Sequence, residues 1–296
     1  MDKITVKAYG KVNLTLDVQG RRADGYHLLS SVMQSISLAD TITLQKAPQG
    51  ITIQSDHPLV PNDQDNICWR AAQAFLSQSG IATGVKIELT KAIPVAAGLG
   101  GGSADAAAVL YGLNQLYGTD LSLGKLQTIG LTIGADVPFC LQGGTCLVEG
   151  IGEVVTPVEP FPQTNIVLVK PEASVSTAEI YKKLDSSSHG GTSTRRLLAF
   201  LQGDQSVSLD SVLENALESV TETLVPAVTL WKSRLREHGA VASLMSGSGP
   251  TVFGLFESSQ QAQEFHGRFK EEAGVFVVTL SDKGVCVSET NGGDQL

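Results

Sequence analysis

The chain has 296 residues, a length that suits two domains better than a single core. Hydrophobic residues make up 42% and charged residues 17%, a globular composition that excludes wholesale disorder. The net charge of −9 argues against a nucleic-acid-binding function, which usually needs a basic patch, yet it allows one phosphorylated small ligand at a locally positive site.

Cysteine usage and hydropathy indicate a cytoplasmic protein. Cys68, Cys140, Cys146 and Cys286 show no metal-binding spacing, so we expect reduced, mostly buried thiols and no protein-bound metal. No run of 18 apolar residues occurs, and the N-terminus begins with an alternating strand pattern instead of a signal-sequence core. These features predict neither a membrane span nor a secreted protein.

Strand patterns dominate the first half of the chain. Alternating β-branched residues between turn formers predict strands over 4–8, 13–18, 41–45, 51–54 and 85–89. An amphipathic helix is predicted over 65–77, with Asp65 or Asn66 as its cap and Gly80 as its stop. Further helices are predicted over 106–116 and after Ser122.

Near residues 160–162 the succession of predicted strands and helices starts anew, which predicts two domains, over 1–162 and 163–296. The second half predicts a strand over 165–169, a helix over 177–184, a flexible loop over 186–193, and helical structure over 209–238 broken at Pro226 and closed by Gly239. It then predicts strands over 241–245 and 251–256, a helix over 260–272, a strand over 275–280 and a frayed tail over 291–296. This order of elements resembles a split βαβ domain.

The most informative segment is 94–106, where a glycine-rich turn runs into an alanine-rich helix. The glycines at 98 and 100–102 allow left-handed backbone and close approach to a ligand. Ser103 or Asp105 is expected to accept hydrogen bonds from the first amides of the helix. Loop amides and a helix N-terminus favour an anion, most often a phosphate, although a plain strand-to-helix turn is the alternative.

Two familiar phosphate loops do not match this segment. A Walker loop needs Gly-Lys-Ser/Thr, and no lysine follows these glycines. The dinucleotide fingerprint has a third glycine where this chain has Ser103. It also has an acidic residue about twenty residues further on; Asp120 lies at that distance, but in a turn and not at the end of a strand. What remains is Pro-x-x-x-Gly-Leu-Gly followed by small residues, which resembles the phosphate loop of the GHMP kinases.

Five further segments resemble one branch of that family, which acts on 4-diphosphocytidyl-2-C-methyl-D-erythritol in the non-mevalonate route to isoprenoids. In chain order they are Gly10-Lys-Val-Asn-Leu14, Asp24-Gly-Tyr-His-Leu28, Asp65-Asn-Ile, Gly134-Ala-Asp-Val-Pro-Phe139 and Ser246-Gly-Ser-Gly-Pro-Thr251. The resemblance implies an α+β protein with the two-domain GHMP kinase fold. Its N-terminal domain would be ribosomal-protein-S5-domain-2-like, and its C-terminal domain ferredoxin-like (split βαβ). It further implies ATP-dependent phosphorylation of the 2-hydroxyl, with Mg²⁺ delivered together with ATP.

The resemblance also implies catalytic roles. Asp136 would be the general base toward the 2-hydroxyl, and Lys11 would hold that aspartate ionised and add positive charge near the transferred phosphoryl group. From the local residues alone, the favoured interpretations are a turn aspartate for Asp136 and an exposed lysine at a strand end for Lys11. Pro138 is expected to force an extended backbone that presents Asp136 at the end of a helix.

Binding residues follow from the same resemblance. The ATP-binding residues would be Asn66, Pro94, Val95, Ala96, Ala97, Gly98, Leu99, Gly100, Gly101, Gly102, Ser103 and Ala104. The acceptor-binding residues would be Asn13, Tyr26, His27, Thr177, Tyr181 and Gly247. Tyr26 and His27 would line a cytosine pocket, with Tyr181 as the second stacking aromatic, although each could instead pack in the core. Residues 246–250 would form a hairpin turn that also supports the phosphate loop.

Two other functions remain as alternatives. One is a GHMP kinase for homoserine or a mevalonate-type alcohol, and the Gly-Tyr-His turn argues against it because those substrates carry no nucleobase. The other is a non-catalytic nucleotide-binding regulator, which would need neither Lys11 nor Asp136. The expected partners are ATP and the cytidyl alcohol, without nucleic acid or membrane, in a monomer or weak homodimer.

Overall fold

The computed structural model describes residues 1–23, 25–184, 190–204, 206 and 208–288. Asp24 of the second motif, positions 186–189 of the predicted loop and the predicted tail over 291–296 lie outside these residues. Within the described ranges, no helix is both long enough and apolar enough to cross a bilayer.

The first β-sheet contains both parallel and antiparallel strand pairs, and helices pack against it. The described strands of this sheet are β1 (Lys3–Asn13), β2 (Asp17–Arg21), β3 (His27–Ala47), β4 (Ile51–Ser55), β5 (Gly84–Thr90), β6 (Thr145–Gly150), β7 (Val154–Pro157) and β12 (Val285–Val287). The helices that follow these strands are α1 (Ile67–Ser79), α2 (Gly101–Tyr117), α3 (Leu123–Leu131) and α4 (Val137–Gln142). The main path is β12-β1-β3-β5-β4, and β3 also pairs with β2 and β6. The long strand β3 therefore organises this sheet.

The second sheet is antiparallel, in the order β11-β8-β10-β9. Its described strands are β8 (Asn165–Lys170), β9 (Ala242–Met245), β10 (Val252–Phe256) and β11 (Gly274–Val278). The accompanying helices are α5 (Thr177–Lys183), α6 (Ser193–Leu201), α7 (Glu218–Leu224), α8 (Ala227–Glu237) and α9 (Ser259–Phe269), with a 3₁₀ turn over Leu209–Ser211. The predicted α+β class and split βαβ order are confirmed. The short strand β12 returns to β1, and the domain boundary at 162/163 stays a prediction.

Helix α2 is central to the first core, because small residues let it lie close to the strands. Ala104, Ala106, Ala107 and Ala108 are all fully buried. A side chain at Gly112 would come within 2.5 Å of Leu44 Cδ1 and 3.0 Å of Val6 Cγ2, atoms of the underlying sheet. The alanine-rich composition therefore reflects close packing of α2 on β1 and β3, which fixes the position of its N-terminus.

Several predicted helix ends are confirmed, and one is wrong. Asn66 caps α1 by accepting the Cys68 amide at 2.8 Å, and Gly80 ends that helix with φ 65°. Helix α2, by contrast, begins at Gly101 and not at position 106. Its cap is Gly100 in the left-handed conformation, so Ser103 and Asp105 lie inside the helix and cap nothing.

The predicted helix over 209–238 is also wrong in its first part. After the 3₁₀ turn the chain is irregular until α7, because Asn215 turns it: the Asn215 side chain accepts the Leu217 amide at 3.0 Å. The break at Pro226 is confirmed, between α7 and α8. The predicted strand over 13–18 is interrupted at 14–16, between β1 and β2.

Some elements have no sequence prediction at all. They are the N-terminal half of β3, β6, β7, α4, α6 and β12. The first half of β3 contains buried Ser31, Gln34 and Ser35, so the usual alternation of polar and apolar residues is absent there. Because these polar residues are buried, the sequence lacks the pattern from which this part of the strand could have been predicted.

Two glycine substitutions test the packing of α2. Gly112→Ala is expected to lower the free energy of unfolding by about 1–3 kcal/mol, because the added methyl overlaps Leu44 and Val6. Gly267→Ala in α9 is the matched control: nothing lies within 4 Å of its Cβ position, and we expect a gain of about 0.5–1 kcal/mol. Urea unfolding of both variants measures the difference, and equal effects would contradict the close packing.

Candidate active site

A β-bulge joins the first strand to the glycine-rich loop. The pairing of β1 with β3 shifts register between Tyr9 and Lys11, and the Lys11 amide donates instead to the Leu99 carbonyl at 2.9 Å. A side chain at Gly100 would come within 2.9 Å of Lys11 Cγ. The loop therefore lies directly on the aliphatic stem of Lys11, and only glycine permits that contact.

A turn from the second sheet supports the same loop. Residues 246–250 connect β9 and β10, as predicted for a hairpin turn. Ser246 Oγ donates to the Gly98 carbonyl at 2.9 Å, and a Cβ at Gly98 would lie 2.2 Å from the Ser246 carbonyl oxygen. Gly98 also has φ 77°, a conformation that favours glycine. The loop is thus held between β1 and this turn.

Lys11 brings the predicted catalytic residues together. Its Nζ donates to Asn13 Oδ1 at 2.7 Å and lies 3.5 Å from Asp136 Oδ2. The backbone of Gly247 completes the group, since a Cβ there would lie 3.4 Å from both Lys11 Nζ and Asn13 Oδ1. Lys11 is buried, whereas the Asp136 side chain is 31% exposed and faces the cleft. A carboxylate beside a buried ammonium is suited to positioning a hydroxyl near an anionic group.

The backbone of Asp136 differs from the expectation. Asp136 immediately precedes α4 with φ −83° and ψ −10°, so it is helical and not extended. Pro138 lies in the first turn of α4, where the missing N–H of proline costs no helical hydrogen bond. The N-terminus of α4 presents the carboxylate, and the prediction of an extended segment is wrong.

Aromatic residues line the same cleft. The rings of His27 and Tyr181 stack with centroids 5.1 Å apart and planes at 27°. Burial, and then the nearby charge of Asp136, raise the pKa of the Tyr181 phenol. Thr177 at the start of α5 bonds Ser248 of the 246–250 turn at 2.8 Å, and Tyr26 is 62% exposed. Strand β3 and helix α5 therefore place an aromatic group within electrostatic range of Asp136.

The Lys11–Asp136 pair, the glycine-rich loop and the aromatic residues line one cleft with a volume of about 1410 Å³. Sites for single small ligands usually measure about 300–1,000 Å³, so this cleft has room for two. Every predicted site residue lines it except Ala104, which lies on the buried face of α2. The Asn66 side-chain amide is occupied as a helix cap and by its 2.7 Å bond to the Pro61 carbonyl. Its backbone N–H donates to the Asp63 carbonyl and its backbone carbonyl accepts the Arg70 amide, both at 3.1 Å.

A buried charge cluster lies under the glycine-rich loop, and the sequence did not reveal it. Lys91 Nζ contacts Asp40 Oδ2 and lies 2.7 Å from Asp105 Oδ2. Asp40 Oδ1 also accepts the amides of Ala92 at 2.6 Å and Ile93 at 2.8 Å. The three charged residues come from β3, the end of β5 and α2, so no local motif marks them.

The two carboxyl groups of this cluster differ in environment. Burial raises the pKa of Asp105 well above its usual range, Lys91 opposes the rise, and the charge of Asp40 adds to it. Burial alone would lower the pKa of Lys91, but Asp105 and Asp40 raise it. Among the described residues, Asp105 Oδ1 has no hydrogen-bond partner. The two carboxyl groups thus raise the pKa of Lys91, and burial raises the pKa of Asp105.

This difference predicts a pH effect on stability. An acid whose pKa is raised by folding binds more protons when folded, so stability falls as pH rises from about 4 toward the folded pKa. Asp105→Asn removes that loss, and its free energy of unfolding relative to wild type should increase between pH 4 and pH 8. Asp40→Asn should instead cost about 3 kcal/mol throughout, because its NH₂ group would face another donor, either Lys91 or the amides of Ala92 and Ile93. Urea unfolding across this pH range tests both, and parallel pH profiles for Asp105→Asn and wild type would contradict the assignment.

Two family models match this chain, one in each half. The family model described as GHMP kinases N terminal domain matches residues 66–144, and the model described as GHMP kinases C terminal matches residues 195–274. A 4-diphosphocytidyl-2-C-methyl-D-erythritol kinase of Clostridium botulinum (strain Kyoto / Type A2) is 45% identical over 267 residues, covering 90% of this chain and 95% of its own. One from Acetivibrio thermocellus is 44% identical over 263 residues, covering 88% of this chain and 93% of its own.

Solved structures give the same result. A crystal structure of 4-(cytidine 5'-diphospho)-2C-methyl-D-erythritol kinase superposes with a TM-score of 0.81 at 34% identity, covering 94% of this chain and 99% of that chain. A homoserine kinase from Cytophaga hutchinsonii shares the fold, with a TM-score of 0.80 at 23% identity, covering 97% of this chain and 98% of that chain. With both domains matched and relatives this similar over nearly their whole length, the chain belongs to the GHMP kinase family.

Proposed function

We propose that this chain transfers the γ-phosphoryl group of ATP to the 2-hydroxyl of 4-diphosphocytidyl-2-C-methyl-D-erythritol. The observation that carries the proposal is the joint placement, in one cleft, of the Lys11–Asp136 ion pair and the His27–Tyr181 aromatic pair. The first suits phosphoryl transfer to an alcohol, and the second suits an acceptor with a nucleobase. The names of relatives that share 44–45% identity with this chain support the same substrate.

The glycine-rich loop is the proposed phosphate site. Gly100 in its left-handed conformation leads straight into α2, whose first amides have no helical carbonyl partners. These amides and the helix dipole attract the phosphates of ATP. The Lys91 ammonium lies beside both carboxyl groups of the cluster beneath the loop and offsets their charge.

Lys11 and Asp136 would act on the transferred group and its acceptor. An ammonium has three donors, so Lys11 can contact a phosphoryl oxygen while keeping its bond to Asn13. Asp136, 3.5 Å away and open to the cleft, would accept the hydrogen bond of the 2-hydroxyl and take its proton as the new bond forms. Phosphoryl transfer depends mainly on positioning and charge stabilisation, and this pair supplies both.

Magnesium would enter as part of the nucleotide complex. Among the described residues, no group of three or more His, Cys, Asp or Glu side chains could hold a metal. We propose that phosphate oxygens and water hold the ion, a common arrangement for Mg²⁺. When bound, it neutralises charge on the phosphates.

The cytidine end of the cleft would use Tyr26 and Tyr181. A base between two rings needs them roughly 7 Å apart, twice the van der Waals separation. His27 and Tyr181 are 5.1 Å apart and already stacked, so the base would lie against Tyr181 on the side of Tyr26. His27 would support Tyr181 and meet the edge of the base. The large exposed surface of Tyr26 would become covered.

We further propose a domain boundary at 162/163, a cytoplasmic location and a monomer or weak homodimer that binds ATP and the cytidyl alcohol. The two family models fall on either side of that boundary, which supports it. The acidic net charge supports the absence of a nucleic-acid partner.

Substrate choice is tested by coupled ADP release with magnesium-ATP. We expect turnover with 4-diphosphocytidyl-2-C-methyl-D-erythritol and none with homoserine, mevalonate or galactose. Turnover with another of these alcohols would keep the kinase activity and reject the cytidine pocket. ATP binding without any turnover would favour the non-catalytic regulator.

Asp136→Asn tests the role of the carboxylate. The variant keeps the shape of the side chain but loses its charge and basicity, so kcat should fall by about 10²–10⁴-fold. The dissociation constant of ATP should change little, because Asp136 faces the acceptor. Asp2→Asn, at an exposed carboxylate near the N-terminus, is the control. Unchanged turnover for Asp136→Asn would reject the role.

Tyr181 variants test the aromatic pocket. Tyr181→Ala should weaken acceptor binding by about 1–3 kcal/mol, the usual effect of losing an aromatic that stacks on a base. Tyr181→Phe keeps the ring and should bind the acceptor almost as wild type does. Calorimetric titration with the cytidyl alcohol gives both values, and equal affinity for the alanine variant would assign Tyr181 to packing alone.

A further inference from the structure

The Asn13 amide next to Lys11 is hydrogen-bonded at both of its ends. Its Oδ1 accepts the Lys11 ammonium at 2.7 Å, and its Nδ2 donates to Ser31 Oγ at 2.9 Å. Both Asn13 and Ser31 are buried, so neither end can exchange its partner for bulk water. The amide of Asn13 therefore connects the Lys11 ammonium to strand β3.

The hydrogen bonds from Lys11 through Asn13 to Ser31 all donate in the same direction. Ser31 Oγ donates its own proton to the Thr15 carbonyl at 2.5 Å, and that carbonyl can only accept. The serine oxygen is left with lone pairs, so it must face the NH₂ group of Asn13. The Asn13 carbonyl oxygen consequently points to Lys11, which can only donate.

Thr15, whose carbonyl is the last acceptor in this series of hydrogen bonds, is itself held in place. Thr15 lies between β1 and β2, outside the regular ladder. Its hydroxyl accepts the Val32 amide at 3.0 Å and lies 2.9 Å from the Thr194 hydroxyl of α6. Thr194 in turn donates to the Ser30 carbonyl at 2.9 Å. The carbonyl that orients Ser31 is thus anchored by a helix from the second half of the chain.

We infer that Ser31 is a positioning residue for the phosphoryl transfer: it tethers Asn13 so that the Asn13 carbonyl holds the Lys11 ammonium 3.5 Å from Asp136. The inference rests on the proposed function for Lys11. Without the Ser31 hydroxyl, the Asn13 NH₂ group is buried without its acceptor, and the amide rotates to find another one. The ammonium then loses its fixed partner.

A double-mutant cycle with Ser31→Ala and Asn13→Ala tests this. Ser31→Ala should lower kcat about tenfold, the usual effect of losing one buried hydrogen bond, with the KM of ATP unchanged. In the Asn13→Ala background the same change should have almost no effect, because residues that act through one contact are not additive. Additive effects would overturn the inference. Ser31→Cys, with a weak sulfur acceptor, should recover part of the rate.

A second measurement is independent of activity. With ¹⁵N-lysine labelling, the ammonium signal of Lys11, assigned by its loss in Lys11→Met, should be protected from exchange in the wild type. It should broaden or shift in Ser31→Ala and stay unchanged in Ser79→Ala, where the buried hydroxyl has no partner among the described residues. An unchanged Lys11 signal in Ser31→Ala would overturn the inference even if the acceptor alcohol proved to be another compound.

Discussion

The close approach of three backbone segments is the constraint on which the site depends. The glycine-rich loop lies against the stem of Lys11 at Gly100 and against the Ser246 carbonyl at Gly98, and the turn at Gly247 lies against Lys11 itself. A methyl group at Gly98 or Gly100 would overlap an atom within 3 Å. Because no side chain separates these segments, the position of the loop determines how far the proposed phosphate site lies from the Lys11 ammonium.

Buried polar groups then define the charges around the loop. Beneath it, Lys91 is matched by Asp40, so the floor of the site carries no uncompensated anion when Asp105 is neutral. Beside it, Lys11 is held by Asn13 and faces Asp136. Because these groups are buried, each must keep its partner, since an unpaired charge or amide removed from water costs several kcal/mol. One cation is thus structural, and the other remains available to a substrate.

The proposed acceptor pocket is built from parts far apart in the chain. Strand β3 carries Tyr26 and His27 at or near its start, and helix α5 carries Tyr181. The Thr177–Ser248 bond links α5 to the turn that supports the phosphate loop. Asn215 holds that turn through 2.8 Å bonds to the carbonyls of Met245 and Gly247. Both ends of the cleft therefore share one support, which keeps the two proposed substrates in a fixed relation.

Local chemistry by itself determined much of this protein. The caps at Asn66 and Ser122, the stop at Gly80, the break at Pro226 and the glycine turns at 98–100 and 246–250 all depend on the conformational preferences of single residues. The resemblance of six short segments was enough to select the family. Tertiary structure alone decided the rest. Asp40, Lys91 and Asp105 come from three different elements and contact one another only in the folded chain. Asn215 forms a turn where the sequence predicts a helix. Ser31 is polar and buried, so the strand that contains it lacks the usual alternation. Such contacts depend on distances between segments remote in sequence, and no periodicity along the chain encodes them.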